Sequence, residues 1–294
     1  MKEIVIISGK GGAGKTSIAA SLGMLAGQEA ILADCDVDAA DMHLLMQPDF
    51  AHSEDFYSGE LPEIDHEKCI NCNRCAEVCR FDAIEVIDGK YEVLPLECEG
   101  CSYCYHVCPI DAITMIEQNI GQLYRSTVKT GSPMMHARLD IGAENSGKLV
   151  AKVKQEANKI AEEKGLDWIL VDGSPGIGCP VVSSLSGADF VVLVTEPTSS
   201  GIHDLKRVYE LVKKFKIPAG CIINKADLNP GKTEEIMEFL KEKGIEHFGD
   251  LPYDKNFTKS MTAGQTIVEF DEKGVGKKVE KYWNKIKKSA TGKH

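Results

Sequence analysis

The chain has 294 residues, of which 43% are hydrophobic, and a formal net charge of −11 at pH 7. Its length predicts about two domains, and the acidic balance argues against a nucleic-acid partner, which usually binds a basic surface. The sequence contains no apolar run of about 18 residues and opens directly on a strand pattern. We therefore expect no transmembrane helix, no signal segment and no membrane partner, and we predict a cytoplasmic protein.

The first predicted elements are a strand, a loop and a helix. Residues 3–8 (EIVIIS) indicate a short buried strand, and a helix is expected to end near Ala26. The loop between them, GKGGAGKT (9–16), matches the phosphate-binding pattern G-x4-G-K-[ST] in its required context. Glycines let backbone N–H groups close around a phosphate, and the helix N-terminus adds a favourable field. In this motif Lys15 reaches the β- and γ-phosphates and Thr16 binds Mg2+.

A second strand is predicted over residues 29–34, and cysteines dominate the chain from about residue 59 to 118. Eight of the eleven cysteines fall into two groups with the spacing C-x2-C-x2-C-x3-C, and the second group follows the first by 29 residues. Such groups bind zinc or iron–sulfur clusters in a chain without an export signal, and zinc usually takes two separated pairs. The spacing therefore favours two [4Fe-4S] clusters, and the repeat predicts two similar halves that pair about a pseudo-two-fold axis.

Beyond the cysteines, residues 119–146 are polar and weakly patterned, so we predict a loop there. Apolar residues then recur at helical spacing from Leu149 to Ala161, and again from Ile202 to Phe215. Continuous apolar runs predict parallel strands at 167–172, 189–195 and 219–224. The alternation of strand and helix on both sides of the cysteines makes the cysteine segment an insertion.

These elements predict an α/β fold, a doubly wound, mostly parallel sheet that carries a small inserted α+β domain. The predicted boundaries give a discontinuous P-loop domain of residues 1–58 and 119–294, and an insert of residues 59–118.

The loop KGGAGKT (10–16) resembles the variant phosphate loop of the MinD/ParA/nitrogenase-iron-protein superfamily of ATPases, and the resemblance extends over essentially the whole chain. Residues 34–41 (DCDVDAAD) resemble switch I, and residues 168–178 (WILVDGSPGIG) resemble the Walker B strand with switch II. Residues 222–227 (IINKAD) and 249–254 (GDLPYD) resemble the two loops on the base side of the nucleotide.

The resemblance implies a set of catalytic and nucleotide-binding residues. Lys10 would reach the partner's nucleotide across a dimer interface, Asp36 would handle the attacking water, and Asp172 would act on the metal through water. ATP and Mg2+ would be held by Gly9, Gly11, Gly12, Ala13, Gly14, Lys15, Thr16, Ser17, Asp41, Gly176, Asn224 and Pro252. Because Asn-Lys-x-Asp is also how many GTPases read guanine, Asp227 keeps GTP open, although the variant loop favours ATP.

The insert resembles bacterial 2[4Fe-4S] ferredoxins over about 60 residues. The resemblance implies that the fourth cysteine of each run ligates the cluster of the other run. One cluster would then be held by Cys69, Cys72, Cys75 and Cys108, and the other by Cys98, Cys101, Cys104 and Cys79.

Several residues outside these motifs carry weaker signals of a functional role. Cys179 follows switch II and is expected to be a small structural residue rather than a cluster ligand, and Cys35 and Cys221 are expected to be core thiols. The run Met134-Met135-His136 is expected in a loop, where methionines fill a gap. The C-terminal helix pattern, with Val275, Val279, Tyr282, Trp283 and Ile286 on one face, is expected to pack on the sheet rather than on a membrane.

Two functions fit the combined sequence. The first is an ATPase whose nucleotide state gates ferredoxin clusters for electron transfer to a redox partner. The second is an ATP-dependent carrier that helps to assemble a metallocluster on an acceptor. A MinD-like positioning ATPase is a third possibility, but it leaves the eight cysteines unexplained. The resemblance also implies a nucleotide-dependent homodimer, or a heterodimer with a paralogue, and slow hydrolysis that a partner stimulates.

Overall fold

The structure is a computed structural model that describes residues 1–140 and 146–292. The chain forms two compact units. The first unit comprises Met1–Glu54, Gln122–Leu139 and the described chain from Ser146 onward, and the second comprises Asp55–Gly121 together with Asp140.

Strands and helices alternate along most of the chain. The strands are β1 (Lys2–Ser8), β2 (Ala30–Asp34), β3 (His52–Ile64), β4 (Ile84–Ile87), β5 (Lys90–Val93), β6 (Ile113–Thr127), β7 (Pro133–Leu139), β8 (Trp168–Asp172), β9 (Phe190–Thr195), β10 (Ala219–Ile223) and β11 (Glu246–Asp250). The helices are α1 (Lys15–Ala26), α2 (Met42–Met46), α3 (Arg74–Val78), α4 (Tyr103–Val107), α5 (Ser146–Lys164), α6 (Cys179–Leu185), α7 (Ser199–Lys214), α8 (Pro230–Lys243), α9 (Asn256–Thr262), α10 (Ile267–Phe270) and α11 (Val275–Thr291).

Nine strands form one sheet in the order β11-β10-β9-β1-β8-β2-β7-β6-β3. The pairings of β1 with β8 and β9, of β2 with β7 and β8, and of β10 with β9 and β11 are all parallel. The sheet is therefore the doubly wound, mostly parallel type that the sequence predicts. Because parallel strands end at the same edge, the segments after β1, β2, β8 and β9 lie together there, where ligands bind in such folds.

The core of the first unit comes from the apolar strands and the helices that cover them. The central strands β8 and β9 are buried along their whole length, as expected for parallel strands covered on both faces. Helix α11 buries Trp283 against Trp168 of β8, with ring centroids 5.4 Å apart. Each such buried apolar side chain stabilises the fold by about 2 kcal/mol. The prediction that the last helix packs on the sheet is confirmed.

The prediction of a loop over residues 119–146 is wrong for most of that range. Strand β6 continues to Thr127, and β7 takes residues 133–139, where both methionines are buried in the sheet. Residues 141–145, also part of that predicted loop, lie outside the described residues. Helix α11 continues to Thr291.

The second unit contains the 29-residue repeat, and the two copies have the same backbone. Left-handed residues recur at the repeat offset: Asn73 (φ 66°) and Ser102 (φ 60°) precede the two short helices α3 and α4. The copies also exchange equivalent hydrogen bonds, from Asp65 N to Ala112 O and from Leu94 N to Ala83 O, each 2.8 Å long. This exchange is the pseudo-two-fold arrangement that the repeat predicts.

Candidate functional site

The phosphate loop joins the end of β1 to the start of α1, as the motif requires. Gly14 caps the helix in a left-handed conformation (φ 90°), which glycine adopts without strain. A Cβ atom at Gly14 would also clash with the side-chain amide of Asn224. That amide donates to Ala13 O over 2.9 Å, so the first base-side loop is bonded to the phosphate loop.

Lys15 lies among three carboxylates at the carboxyl edge of the sheet. Its Nζ atom is 2.6 Å from Asp172 Oδ1 at the end of β8, and 3.3 Å from Asp36 Oδ2 after β2. Burial alone would lower the pKa of Lys15, but the charges of Asp172, Asp36 and Asp34 raise it above its usual value. The lysine is therefore a permanent cation at neutral pH, in the place where the β- and γ-phosphates are expected.

Two oxygens of these carboxylates, Asp34 Oδ2 and Asp172 Oδ2, are buried without a hydrogen-bond partner in the described chain. Burial and then the charge of Asp172 raise the pKa of Asp34 well above its usual range. Unpaired buried carboxylate oxygens are costly, and hard oxygen ligands with bound waters are what Mg2+ prefers. The site therefore fits a hydrated Mg2+ ion.

The two switch segments are bonded to each other and to the loop. Ser174 Oγ donates to Cys35 O over 2.6 Å, and Gly176 N donates to Ser8 O over 3.0 Å. Gly176 is thus held at the foot of the phosphate loop.

Lys10 contacts three polar side chains in the segment after β9. Its ammonium lies 2.7 Å from Glu196 Oε1, 3.0 Å from Ser200 Oγ and 3.3 Å from Thr198 Oγ1. Glu196 also pairs with Lys225, whose ammonium lies 2.7 Å from Oε2.

The base-side loops are cross-linked by backbone and side-chain hydrogen bonds. Tyr253 N, next to Pro252, donates to Asp227 Oδ1 over 2.6 Å, and Ala226 N donates to Leu251 O over 2.9 Å. Lys225 Nζ donates to Gly12 O over 3.0 Å. The structure therefore brings residues 224–227 and Pro252 to one side of the phosphate loop.

The other predicted nucleotide ligands lie along the same edge. Thr16 and Ser17 are half-buried in the first turn of α1, and Asp41 is exposed immediately before α2. Gly11 and Gly12 are exposed at the tip of the loop, whereas Gly9 packs against the backbone of Asp204 in α7.

In the second unit, one predicted set of four cysteines lines a single cavity. Cys69, Cys72, Cys75 and Cys108 line one small pocket that is partly open to solvent, together with Ile64, Tyr91 and Ile113. Cys108 comes from the second repeat and the other three from the first. Three of the four, Cys69, Cys75 and Cys108, also contact a small apolar core that includes Ile64 and Ile113.

The second set of cysteines is related to the first by the repeat. Burial, and then the neighbouring Cys98 and Cys101, raise the pKa of Cys104 to about 11. Cys79 ends α3 as Cys108 ends α4, and each thiol accepts a backbone hydrogen bond, from Ala83 N (3.4 Å) and Ala112 N (3.3 Å) respectively. All eleven cysteines are free. Within the described chain, no three or more His, Cys, Asp or Glu side chains are already arranged as a metal cage.

The three cysteines outside the two sets and the Met134-Met135-His136 run all lie in the first unit. Cys35 and Cys221 are fully buried core thiols, as predicted, and Cys179 is exposed at the first residue of α6. His136 is buried, with Nε2 2.9 Å from Ser126 Oγ and its ring stacked on Tyr124 at 5.0 Å.

Sequence reasoning missed three charged residues of the site, Asp34, Glu196 and Lys225. Asp34 carried a signal, because it ends a buried strand at the carboxyl edge of the sheet. Glu196 follows β9 in the same way, within a segment (TEPTSSG) whose chemistry the residue types do not reveal. Its pairing with Lys10 joins residues 186 positions apart, which only the fold brings together.

Comparison with known proteins gives a family and a fold. The profile of the family CbiA, described as the CobQ/CobB/MinD/ParA nucleotide binding domain, matches residues 4–267. An uncharacterised protein of Methanocaldococcus jannaschii, MJ0578, is 38% identical over 77% of this chain and 79% of its own length. A second one from that organism, MJ0579, is 28% identical over 92% of this chain and 94% of its own length.

Two further matches are informative about a shorter segment and about the fold. The Drosophila sechellia homolog of the cytosolic Fe-S cluster assembly factor Nubp1 is 29% identical over 36% of this chain and 40% of its own length. The septum site-determining protein MinD from Pyrococcus horikoshii, solved with Mg-ADP, shares the fold over 100% of this chain and 98% of that one, with a TM-score of 0.57 and 19% identity. Among the described residues, no helix combines the length and apolar composition that a bilayer crossing requires.

Proposed function

Because the chain belongs to the CobQ/CobB/MinD/ParA nucleotide-binding family, we propose that it binds ATP with Mg2+ and hydrolyses it to ADP and phosphate. The buried Lys15, 2.6 Å from Asp172, supports this proposal because a nucleotide and a metal ion would separate the pair and take one member each. Lys15 would then neutralise charge on the transferred phosphoryl group. Asp36, 3.3 Å from Lys15, would orient the attacking water.

The proposal includes a nucleotide-dependent dimer in which Lys10 of each copy acts on the nucleotide of the other. A cation delivered in this way stabilises charge on the phosphoryl group, as an arginine finger does. The partner copy would be either the same chain or a paralogue. The presence of two similar proteins in M. jannaschii supports the second arrangement as an alternative.

We further propose that the two cysteine sets hold two [4Fe-4S] clusters. Thiolates are the ligands such clusters take, and four of them around one cavity, three from one repeat and one from the other, is the expected donor set. The Sγ atoms of Cys79 and Cys108 each accept a backbone N–H, and such hydrogen bonds tune the potential of a bound cluster. When bound, the clusters would supply one-electron transfer.

The function that these observations support best is nucleotide-gated electron transfer to a redox partner protein. The observation that carries it is the four-cysteine cavity in a chain that also holds a family nucleotide site. Switch I is followed by α2 and then by β3, along which the chain leaves the first unit after Glu54 and enters the second. In this proposal switch I has two nucleotide-dependent states and is connected through α2 and β3 to the cysteine-bearing unit.

The test measures both cofactors on one preparation. The full chain, reconstituted anaerobically with iron and sulfide, should contain about eight iron atoms. ATP, but not ADP, should change the cluster midpoint potential or the rate of cluster oxidation by a viologen dye. Lys15→Ala should keep the iron and lose the nucleotide response. Equal potentials and equal rates with ATP, with ADP and without nucleotide would overturn the gating.

A second function, assembly of a metallocluster on an acceptor protein, is supported by the partial similarity to an Fe-S cluster assembly factor. The two functions differ in where the iron goes. An assembly factor should pass radiolabelled iron to an apo-acceptor in an ATP-dependent way, whereas an electron donor should keep its iron through repeated oxidation. Cys179→Ser is a matched control, because Cys179 is an exposed cysteine outside both predicted sets.

A further inference from the structure

The ammonium of Lys10 lies against three polar side chains of its own chain. An ammonium carries three N–H donors, and Lys10 has three acceptors in its own chain: Glu196 Oε1, Ser200 Oγ and Thr198 Oγ1, at 2.7, 3.0 and 3.3 Å. The side chain is only 30% exposed. As it lies, Lys10 is therefore satisfied in cis.

Glu196 holds two lysines at once. Its two carboxylate oxygens each lie 2.7 Å from an ammonium, Oε1 from Lys10 and Oε2 from Lys225. The carboxylate is 12% exposed. Burial alone would raise the pKa of Glu196, but the hydrogen bonds from the two lysines lower this pKa below its usual value. Glu196 is thus an anion at neutral pH, and its charge is shared between the phosphate loop and the base-side loop.

The segment that carries Glu196 is held firmly in place. Thr198 caps α7 by accepting from Gly201 N over 2.9 Å, and Thr198 N donates back to Glu196 O over 2.8 Å. Gly201 lies so close to Glu196 O that a Cβ atom would clash with it. At the other side, Gly9 packs equally closely on the backbone of Asp204 in α7. The start of α7 and the start of the phosphate loop therefore pack closely against each other.

We propose that Glu196, with the hydroxyls of Thr198 and Ser200, forms a cis latch that holds Lys10 away from the nucleotide of a second copy until the dimer forms. Glu196 is a positioning residue in this proposal, since it acts through Lys10. The inference deepens the proposed ATPase function and rests on it, because it regulates the trans action of Lys10.

Lys225 makes the latch reversible. A half-buried carboxylate is destabilised when it loses its single counterion. Glu196 keeps Lys225 when Lys10 leaves, because Lys225 is also anchored to Gly12 O over 3.0 Å. In this proposal Lys10 is the exchangeable counterion, because it is the lysine that acts on the nucleotide of the second copy, and Lys225 is the counterion that remains. Closed and open latches both leave Glu196 paired, as a two-state element requires.

The experiment compares the cluster-loaded full chain with Glu196→Gln, Ser200→Ala, Lys10→Ala and the double variant Lys10→Ala/Glu196→Gln. Phosphate release is measured over a range of protein concentrations, and ATP-dependent dimerisation is followed by sedimentation. Glu235→Gln is the matched control, because Glu235 makes an equally short pair with Lys232 (2.7 Å) on exposed α8.

Glu196→Gln should raise the partner-free ATPase rate about two- to fivefold, as loss of one partly exposed ion pair allows. It should also lower the protein concentration for half-maximal activity and for dimerisation by a similar factor. Ser200→Ala should shift the same quantities in the same direction by less, without a risk to folding. The double variant should be as slow as Lys10→Ala, and Glu235→Gln should match wild type.

The latch is overturned if the half-maximal concentration in Glu196→Gln and Ser200→Ala stays at the wild-type value or rises. A merely structural role for Glu196 would lower thermal stability and activity together without lowering that concentration. Wild-type activity of Lys10→Ala would instead overturn the trans role of Lys10 in the proposed function. The two failures are therefore distinguishable.

Discussion

The ammonium of Lys15 lies 2.6 Å from Asp172 Oδ1, so the lysine of the phosphate loop is paired with the aspartate that ends β8. The pair is buried, with 5% of the lysine side chain and none of the aspartate side chain exposed. A phosphate that takes Lys15 leaves Asp172 as a buried carboxylate without a counterion. Binding of the anion alone is therefore penalised, and binding of the anion with a divalent cation is not.

The first prediction follows from this pairing. ADP should bind at least about tenfold more weakly in EDTA than with 1 mM Mg2+. The reason is that Mg2+ replaces the positive charge of Lys15 beside Asp172 when the phosphate takes that lysine. Titration calorimetry of the full chain measures both affinities. Asp172→Asn removes the stranded charge and should shrink the Mg2+ effect severalfold. Equal ADP affinities of wild type with and without Mg2+ would show that the pair does not couple the two ligands.

The second prediction concerns the nucleotide-free protein. Lys15→Met leaves Asp172 and Asp36 without their counterion, so it should destabilise the first unit by about 3 kcal/mol. The matched control is Lys152→Met on α5, where an exposed pair with Glu156 (2.9 Å) should contribute less than about 1 kcal/mol. Urea unfolding measures both effects by the fluorescence of Trp168 and Trp283, which both belong to the first unit. Equal losses in the two variants would contradict the prediction.

A third prediction tests the exchange of ligands between the repeats. Cys108→Ser and Cys79→Ser should each reduce the iron content from about eight to about four atoms per chain. Because Cys108 shares a cavity with the cysteines of the first repeat, the clusters that remain in the two variants should differ. Low-temperature electron paramagnetic resonance of the reduced variants distinguishes the two. Identical spectra, or no loss of iron, would sink the assignment, and Cys179→Ser should keep all of the iron.

A fourth prediction uses the buried histidine of β7. Burial, and then the nearby charge of His43, lower the pKa of His136 to about 4, while Asp49 opposes the shift. The unfolded chain binds this proton with a pKa near 6.5. Stability from neutral His136 is therefore present above pH 6.5 and is lost as the pH falls towards 4. The free energy of unfolding should drop by about 2 kcal/mol between pH 7 and pH 5 from this residue alone.

The measurement compares wild type with His136→Gln, which keeps a hydrogen-bonding group near Ser126 Oγ and removes the titration. Urea unfolding followed by tryptophan fluorescence should show a smaller loss between pH 7 and pH 5 in the variant. His203→Gln is the control, because the His203 side chain is 69% exposed. A variant with the same pH dependence as wild type would show that His136 does not titrate with unfolding.

The sequence predicted the buried strands well because each is a continuous apolar run with one plausible structure. It failed at β6 and β7 for two physical reasons. Strand β6 mixes polar residues with Gly121 along 15 residues, and β7 begins with Pro133 and contains Met and His, which indicate strands weakly. Pairing with neighbouring strands of the sheet, rather than local conformational preference, determines that these segments form strands. The same limit applies to the pair of Lys10 with Glu196, since side-chain charges carry no information about which distant charge they meet.

The last prediction concerns the choice between ATP and GTP, which the sequence NKAD leaves open. Asp227 Oδ1 already accepts the backbone N–H of Tyr253 over 2.6 Å, so one oxygen of the carboxylate that could read guanine is engaged. A guanine would have to compete for that oxygen, whereas adenine would need no contact with it. We therefore expect ATP to bind at least about tenfold more tightly than GTP, a difference of about 1.4 kcal/mol.

Competition of ATP and GTP for a fluorescent ATP analogue measures the ratio of the two affinities. Asp227→Ala should change the ratio by less than about twofold, as should the control Asp254→Ala, whose carboxylate accepts the backbone N–H of Asn256 at the start of α9. A selective loss of GTP binding in Asp227→Ala, or comparable wild-type affinities for the two nucleotides, would mean that Asp227 does read the base.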